Sequence, residues 1–290
     1  MKVIVFGSNG LVGSSLCRIL EDSGKIEQLI KSNRSELDLF KRQDVEEFVK
    51  NHQPNVIINA AAKVGGIHAN NTKRTEFILE NLKININILE SIINLSNTKL
   101  INLGSSCIYP LNATNPIREE SFMTGELEPT NSPYAMAKLT AIELGKTLKK
   151  DFGHKIINLM PTNLYGPGDS YHPTNSHVLP ALIRRFHEAA EPNAPSVPCW
   201  GTGSPLREFL HVDDLARACV HLMDTYDGAD WVNVGTGEDL SIRELAELIC
   251  DIIGYTGELD WDTSKPDGTP RKLMDNSKME RQGWKAQVNL

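Results

Sequence analysis

The 290-residue sequence has few cysteines and no long apolar run, and each of these absences excludes a class of protein. Its five cysteines are widely spaced and form no Cys-x-x-Cys pair, so the sequence predicts neither a disulfide framework nor a metal site built on cysteine. No stretch approaches the roughly 18 apolar residues of a membrane span. No cationic segment followed by an apolar one opens the chain, so we expect no signal peptide. Reduced cysteines suit a cytoplasmic protein.

An excess of positive charge is also lacking. Thirty Lys and Arg stand against 37 Asp and Glu, which gives a net charge of −7. Proteins that bind nucleic acid over a broad surface are usually basic, so we do not expect a nucleic-acid partner. A small anionic ligand remains possible, because a local group of arginines can bind it within an acidic protein.

Strand and helix patterns alternate along the first 160 residues, beginning with the β-branched run KVIVF at 2–6. The predicted strands are residues 2–6, 28–31, 55–60, 100–103 and 156–160, and the predicted helices are residues 11–23, 41–51, 75–95 and 132–150. Strands separated by helices of this length indicate βαβ units. We therefore predict an α/β fold with a Rossmann-type parallel sheet and helices on both faces.

The rest of the chain is less regular. Residues 161–205 are richer in Pro, His and Asn, although helices are predicted at 179–190 and 212–224. Val232 to Gly235 resembles a strand that returns to the sheet, and Ser241 with Glu244 suggests a capping box. We expect a Rossmann domain over 1–160, to which 206–235 partly returns, and a smaller C-terminal region over 161–290.

A glycine-rich turn joins the first predicted strand to the first predicted helix. Its seven residues have the spacing GxxGxxG and are Gly7, Ser8, Asn9, Gly10, Leu11, Val12 and Gly13. Glycine lets the chain turn tightly and lets a pyrophosphate reach the free N–H groups of the helix. A purely structural turn is the alternative, but this position predicts a dinucleotide site.

The end of the second strand indicates which dinucleotide binds. An acidic residue there would bind the ribose hydroxyls of NAD, whereas this sequence has Lys31 and Arg34. A 2′-phosphate fits these cations, so NADP(H) is the predicted cofactor, with Arg34 as its main contact. Solvated surface cations are the alternative. Asp38 and Leu39 follow as contacts for the adenine.

Three residues form a candidate catalytic group. Tyr134 and Lys138 have the spacing YxxxK, which places both side chains on one face of a helix. A nearby ammonium should lower the pKa of the phenol, so that Tyr134 can exchange a proton with a carbonyl oxygen. Ser105 follows a predicted strand, where ligand contacts are expected in this architecture, and could bind the same oxygen.

This combination resembles the extended short-chain dehydrogenase/reductase family. Longer strings resemble its GDP-L-fucose synthases along almost the whole chain. These are AAKVGG at 61–66, GSSCIYP at 104–110, EPTN at 128–131, PTNLYGP at 161–167, NSHV at 175–178, REFLHVD at 207–213 and KPDGTPRK at 265–272. The resemblance implies NADPH-dependent 3,5-epimerisation and 4-reduction of GDP-4-keto-6-deoxy-D-mannose to GDP-L-fucose.

The resemblance also assigns roles. Cys107 and His177 match the epimerisation residues, and a thiol and an imidazole can both exchange protons near neutral pH. Tyr134 would protonate O4 during reduction. Further cofactor contacts are implied at Leu103, Gly104, Ser105, Ser106, Lys138, Pro161, Thr162, Asn163, Leu164 and His177. Substrate contacts are implied at Arg185, Trp200, Arg207, Asp267 and Lys272.

Two alternatives remain, and the resemblance adds one partner. The chain could be a reductase or epimerase of another GDP-hexose or GDP-heptose, or a catalytically silent nucleotide-binding sensor. Intact Ser105, Tyr134 and Lys138 argue against the sensor. A homodimer through the helix of Tyr134 is implied by the family, although its apolar stripe at Leu139 and Ile142 could simply be core. The sequence ends before the last amphipathic helix of the family, away from the catalytic strings.

Overall fold

A computed structural model describes residues 1–228 and 231–290. The strands are β1 Lys2–Phe6, β2 Gln28–Ser32, β3 Val56–Asn59, β4 Lys99–Leu103, β5 Lys155–Pro161, β6 Asn163–Tyr165, β7 Ser196–Trp200, β8 Leu206–His211, β9 Trp231–Val234, β10 Asp239–Ser241, β11 Glu258–Asp262 and β12 Arg271–Lys272. The helices are α1 Leu11–Asp22, α2 Arg42–His52, α3 Ile67–Thr72, α4 Arg74–Ser91, α5 Ser132–Phe152, α6 Val178–Ala190, α7 Val212–Thr225, α8 Ile242–Ile253 and α9 Ser277–Arg281.

The main sheet is parallel and has the strand order β2-β1-β3-β4-β5-β9. Each strand from β1 to β5 is connected to the next through at least one helix, which places helices on both faces. One apolar core lies between the sheet and helices α1 and α7, and a second lies beneath α2, α4 and α5. The predicted Rossmann-type α/β fold is confirmed.

The C-terminal region contains smaller sheets. Strand β8 pairs with β6, β10 and β12, and β7 pairs with β11. A third apolar core joins α6 and α8 to these strands. Within the segment 206–235, helix α7 packs on α1 and β9 closes the main sheet, whereas β8 belongs to the smaller sheet. Residues 229 and 230 of that segment lie outside the described residues.

A capping box begins α8, as the sequence predicts. The Ser241 hydroxyl accepts a hydrogen bond from the Glu244 N–H, and the Glu244 carboxylate accepts one from the Ser241 N–H. Gly254, in the left-handed region at φ 79°, ends the helix. In the described part of the chain, no helix is both long and apolar enough to cross a membrane.

Candidate active site

The glycine loop leaves no room for side chains at two of its three glycines. A Cβ atom on Gly13 would lie 2.0 Å from the Gly7 carbonyl oxygen, and one on Gly7 would lie 2.8 Å from the Ala61 Cα. Gly7 also has a φ of 77°, in the left-handed region. Gly10 has no such crowding and is exposed. The loop is thus tightly packed on its inner side and open on its outer side.

This loop fits a dinucleotide pyrophosphate. Helix α1 begins after Gly10 with no side chain capping its first turn, so its N–H groups are available to an anion. The Ser8 hydroxyl is buried and has no hydrogen-bond partner among the described residues. Leu11 and Val12 are half-buried on the helix, and Asn9 is exposed.

The adenosine end of the predicted cofactor site contains Arg34 on an exposed turn after β2. The Arg34 guanidinium lies 3.7 Å from Glu80 of α4, and Glu80 also pairs with Lys63 at 2.7 Å. Lys31 is instead paired with Glu21 at 2.7 Å. Arg34 is therefore the cation of this pair that can turn towards a 2′-phosphate.

The two adenine contacts predicted from the sequence also lie on this turn. The Asp38 carboxylate accepts a hydrogen bond from the Phe40 N–H at 3.0 Å. Leu39 is half-buried against the core, and its carbonyl oxygen accepts a hydrogen bond from Asn87. Asn87 of α4 therefore holds Leu39, whereas Asp38 is held by its own turn.

The structure brings Ser105, Tyr134 and Lys138 together. Ser105 follows β4, and its hydroxyl lies close enough to the Tyr134 phenol to lower the pKa of that phenol. One helical turn further, the Lys138 ammonium lies 5.7 Å from the Tyr134 ring centre and donates a 2.7 Å hydrogen bond to the Leu103 carbonyl oxygen. Burial lowers the pKa of Lys138 to about 8. A strand end and one helix face thus build the predicted group.

The prediction that Lys138 lowers the pKa of Tyr134 is wrong for this arrangement. Packing around the phenol raises the pKa of Tyr134 well above its ordinary value, and the neighbouring Cys107 sulfur raises it further. The Ser105 hydroxyl only partly opposes this shift. Tyr134 is therefore fully protonated near neutral pH, which is the form that a proton donor needs.

Cys107 lies in a short 3-10 helix, Ser106–Ile108, directly after Ser105. Its N–H donates to the Ser105 hydroxyl at 3.2 Å, and the Lys272 ammonium lies 3.7 Å from its sulfur. Gly104 precedes this turn, and a Cβ there would lie 2.2 Å from the Met160 side chain. The thiol is half-buried beside the Tyr134 phenol.

His177 reaches the same place from another part of the chain. The Gly66 N–H donates to the Asn175 carbonyl oxygen at 2.9 Å, and a Cβ on Gly66 would lie 2.4 Å from the Ser176 oxygen. This contact holds the loop before α6 against the start of α3. Although His177 is exposed as a residue, the protein around its imidazole lowers the pKa of the ring, and the charge of Lys272 lowers it further.

The predicted substrate cations share one property: within the described residues, no carboxylate oxygen lies within 4.0 Å of Arg185, Arg207 or Lys272. Arg185 stacks on Trp200, with its guanidinium carbon 4.7 Å from the ring centre. Arg207 donates to the carbonyl oxygens of Leu206 and Asp267. Cations without a carboxylate partner are suited to bind an anionic ligand.

The Asp267 carboxylate is already engaged. Its oxygens accept hydrogen bonds from the Thr202 N–H and hydroxyl, both at 2.8 Å. Asp267 thereby holds the turn after Trp200 and places its own carbonyl oxygen against Arg207. Its predicted role as a guanine acceptor would need the remaining lone pairs of the same carboxylate.

Sequence reasoning missed Glu208, the fully buried neighbour of Arg207. Its carboxylate accepts hydrogen bonds from the N–H groups of Gly237 and Met274, at 2.7 and 2.9 Å. Its carbonyl oxygen accepts from the side chains of Thr162 and Asn163, in the predicted nicotinamide segment between Pro161 and Leu164. The string REFLHVD contains Glu208 and was the signal that could have identified it.

Comparison with known proteins assigns this site to a family. The model of the NAD dependent epimerase/dehydratase family matches residues 3–235. The chain belongs to this family. The resemblance to extended short-chain dehydrogenase/reductases is thereby confirmed for the Rossmann part, which carries the glycine loop and the Ser105, Tyr134 and Lys138 group.

Individual relatives of the chain indicate a narrower group within the epimerase/dehydratase family. It is 53% identical to GDP-L-fucose synthase 1 of Arabidopsis thaliana over 289 residues, covering all of this chain and 89% of the relative. It is 46% identical to the GDP-L-fucose synthase of Escherichia coli K12, covering all of this chain and 92% of the relative. The predicted resemblance to GDP-L-fucose synthases is confirmed.

A solved structure provides a further comparison. The GDP-mannoheptose C4 reductase of Campylobacter jejuni, determined with NADP bound, superimposes with a TM-score of 0.88 at 35% identity. The alignment covers all of this chain and 94% of the reductase. The prediction of NADP as cofactor is supported by this family member and by the position of Arg34.

Proposed function

We propose that this protein is an NADP-dependent GDP-L-fucose synthase, which converts GDP-4-keto-6-deoxy-D-mannose to GDP-L-fucose by 3,5-epimerisation and 4-reduction. One observation carries the proposal: a proton donor, Tyr134, lies beside a second proton-exchanging group, Cys107, and Lys272 neighbours both Cys107 and His177. A simple reductase needs Tyr134 alone. We further propose that residues 1–160 bind the cofactor and residues 161–290 mainly the substrate.

Epimerisation needs groups that exchange protons at carbons next to the C4 ketone. Removing such a proton places negative charge on O4, where the Tyr134 phenol and the Ser105 hydroxyl can both donate hydrogen bonds. One of Cys107 and His177 would remove the proton from one face of the carbon, and the other would return a proton to the opposite face, which inverts the configuration. Lys272 is a neighbour of both residues, which places them in the same part of the molecule.

Reduction uses the same oxygen. When NADPH is bound, it supplies a hydride to C4. The protonated Tyr134 phenol gives its proton to O4, and Ser105 keeps that oxygen oriented. Lys138, which is hydrogen-bonded to Leu103, would hold the nicotinamide ribose. Arg185 and Arg207 would bind the diphosphate of the substrate, and Trp200 would pack against its nucleotide.

A second candidate substrate is another GDP-4-keto sugar, such as a heptose. The likeness to a GDP-mannoheptose reductase favours this alternative. The presence of both Cys107 and His177 favours the bifunctional reaction, because reduction alone requires neither.

One incubation tests these alternatives. The protein is mixed with NADPH and GDP-4-keto-6-deoxy-D-mannose, cofactor oxidation is followed by absorbance, and the sugar is identified by NMR. GDP-L-fucose is the expected product. Absence of NADPH oxidation would refute the reductase, and a reduced sugar with unchanged C3 and C5 would refute the epimerase. A parallel incubation with a GDP-4-keto-heptose measures the second candidate.

We also propose a cytoplasmic homodimer. The stripe at Leu139 and Ile142 is buried in the core, so it cannot form the interface. The outer face of α4 and α5, however, exposes Leu79 at 49% and Met136 at 46%. Together with the half-buried Ile78 beside Met136, these side chains give the helix pair an apolar surface suited to a second copy.

A further inference from the structure

Resting on the function proposed above, we infer that Lys272 is a positioning residue for Cys107: its ammonium stabilises negative charge that forms on the sulfur during proton transfer and does not serve mainly to bind the substrate diphosphate. The resemblance assigns Lys272 to the substrate. In the structure, its ammonium instead lies 3.7 Å from the Cys107 sulfur, and this is the one hydrogen bond of its side chain within residues 1–228 and 231–290.

The backbone fixes Lys272 in this position. Strand β12 pairs with β8 so that Lys272 stands opposite Arg207. The next two N–H groups donate to side chains on either side: Leu273 to Asn115 at 2.8 Å, and Met274 to Glu208 at 2.9 Å. The direction of the Lys272 side chain is therefore set by anchored backbone on both strands.

The charge of Lys272 is not neutralised by a carboxylate. The described ion pairs of other lysines and arginines have N–O distances of 3.9 Å or less. No carboxylate oxygen of the described chain lies within 4.0 Å of the Lys272 ammonium. An ammonium that is half-buried and unpaired attracts any negative charge that forms nearby. The sulfur is the anion-forming atom in contact with it.

The groups facing Cys107 from the other elements do not replace Lys272. From α5, Tyr134 is a neutral phenol near neutral pH. From β8, the Arg207 guanidinium donates to two carbonyl oxygens. Ser105 accepts from the Cys107 N–H, and His177 from the start of α6 is disfavoured as a cation by the same Lys272 charge. Lys272 is thus the positive group that touches the sulfur.

The test is the rate at which iodoacetamide alkylates Cys107 in the intact protein at pH 7, read by mass spectrometry. The other four cysteines are buried, so Cys107 is the reactive thiol, and Cys107→Ser supplies the blank. Losing a unit charge about 4 Å away should slow the reaction of Lys272→Met about tenfold. Lys272→Arg keeps the charge and should react within about threefold of the wild type.

Lys285→Met is the matched control, because Lys285 is exposed and pairs with Glu280 in the same C-terminal segment. Binding of GDP by calorimetry is the second readout. Lys272→Met should bind GDP within about threefold of wild type, whereas Arg207→Met should lose at least tenfold. Wild-type alkylation in Lys272→Met, or a GDP loss equal to that of Arg207→Met, would overturn the inference.

The measurement does not depend on the sugar reaction. If the wild-type protein showed no turnover, the proposed function would be refuted. The alkylation rate of Lys272→Met would still show whether Lys272 acts on the Cys107 thiol. Lys272→Gln provides a second uncharged variant with the same expected tenfold loss, should Lys272→Met fail to fold.

Discussion

Lys138 donates a 2.7 Å hydrogen bond to the carbonyl oxygen of Leu103, and this bond joins the helix of Tyr134 to the strand that ends before Ser105. Only 2% of Lys138 is exposed. The buried ammonium is thus placed for catalysis at a cost in stability, because burial disfavours its charge and lowers its pKa to about 8.

Replacing Lys138 by methionine should stabilise the fold at pH 7 while reducing turnover at least 100-fold. The pKa is about 8 when folded and about 10.5 when unfolded, so the burial penalty is fully present below pH 8 and disappears as the pH rises towards 10.5. The penalty is about 3 kcal/mol, offset by about 1 kcal/mol for the lost hydrogen bond.

Urea unfolding at pH 7 and pH 9.5 measures this difference. The free energy of unfolding of Lys138→Met should exceed that of wild type by about 1–2 kcal/mol at pH 7 and by less at pH 9.5. Lys150→Met, at an exposed position of the same helix, is the control and should change stability by under 0.5 kcal/mol. A less stable Lys138→Met at pH 7 would contradict the assignment of the penalty.

Cys107→Ser should abolish epimerisation and leave NADPH binding within about twofold of wild type. Serine keeps the size of the side chain but forms an anion far less readily than a thiol. Solvent deuterium incorporated into the keto sugar, read by NMR without NADPH, measures the proton exchange. His177→Gln should show the same loss of inverted product. A large loss of NADPH affinity in Cys107→Ser would be incompatible with its proposed role.

Arg34→Ala should raise the KM for NADPH about tenfold and change the KM for NADH by less than twofold. The guanidinium is the cation at the end of β2 that can reach a 2′-phosphate, which NADH lacks. Lys31→Ala is the matched control, since Lys31 is paired with Glu21 on α1. Equal effects of Arg34→Ala on both cofactors would refute the contact.

Glu80→Gln tests the same site by removing a negative charge, whereas Arg34→Ala removes a positive one. Glu80 holds Arg34 at 3.7 Å and would repel a 2′-phosphate. Removing its charge should lower the KM for NADPH about twofold to threefold, with NADH unaffected. An increase in the KM for NADPH would mean that Glu80 orients Arg34 and does not compete for it.

The Rossmann elements were predictable from sequence because they are local. The β-branched runs at β1 and β3 are buried on both faces, and buried parallel strands read as continuous apolar segments. The strands β6, β10 and β12 have only two or three residues and were not predicted. Strands of two or three residues are too short to show an alternation of apolar and polar residues. They are recognised as strands only because each pairs with β8.

Long-range contacts explain what the sequence could not reveal about the site. Lys272 and Cys107 are 165 positions apart, and they meet because β12 pairs with β8 and because the Leu273 N–H donates to Asn115. Glu208 is one charged residue among many in the sequence, and its burial follows from the three segments that hydrogen-bond to it, residues 162–163, 236–237 and 274–276. The direction of the Tyr134 pKa shift likewise depends on how tightly its pocket is packed, which spacing does not encode.

Met136→Asp should convert the proposed dimer to a monomer, measured by sedimentation velocity at micromolar concentration. Met136 is 46% exposed on α5 and lies beside Ile78 of α4, so a carboxylate in the centre of an interface between two copies would be buried without a partner. Ile252→Asp is the matched control, because Ile252 is 76% exposed on α8, in the C-terminal region. It should leave the assembly unchanged.

Because Met136 lies two residues after Tyr134, NADPH turnover of the monomeric variant also reports whether contacts across the dimer stabilise the catalytic helix. A retained rate would mean that each copy is active without the other. A monomeric wild type would refute the dimer, and a dimer that survives Met136→Asp would place the interface elsewhere.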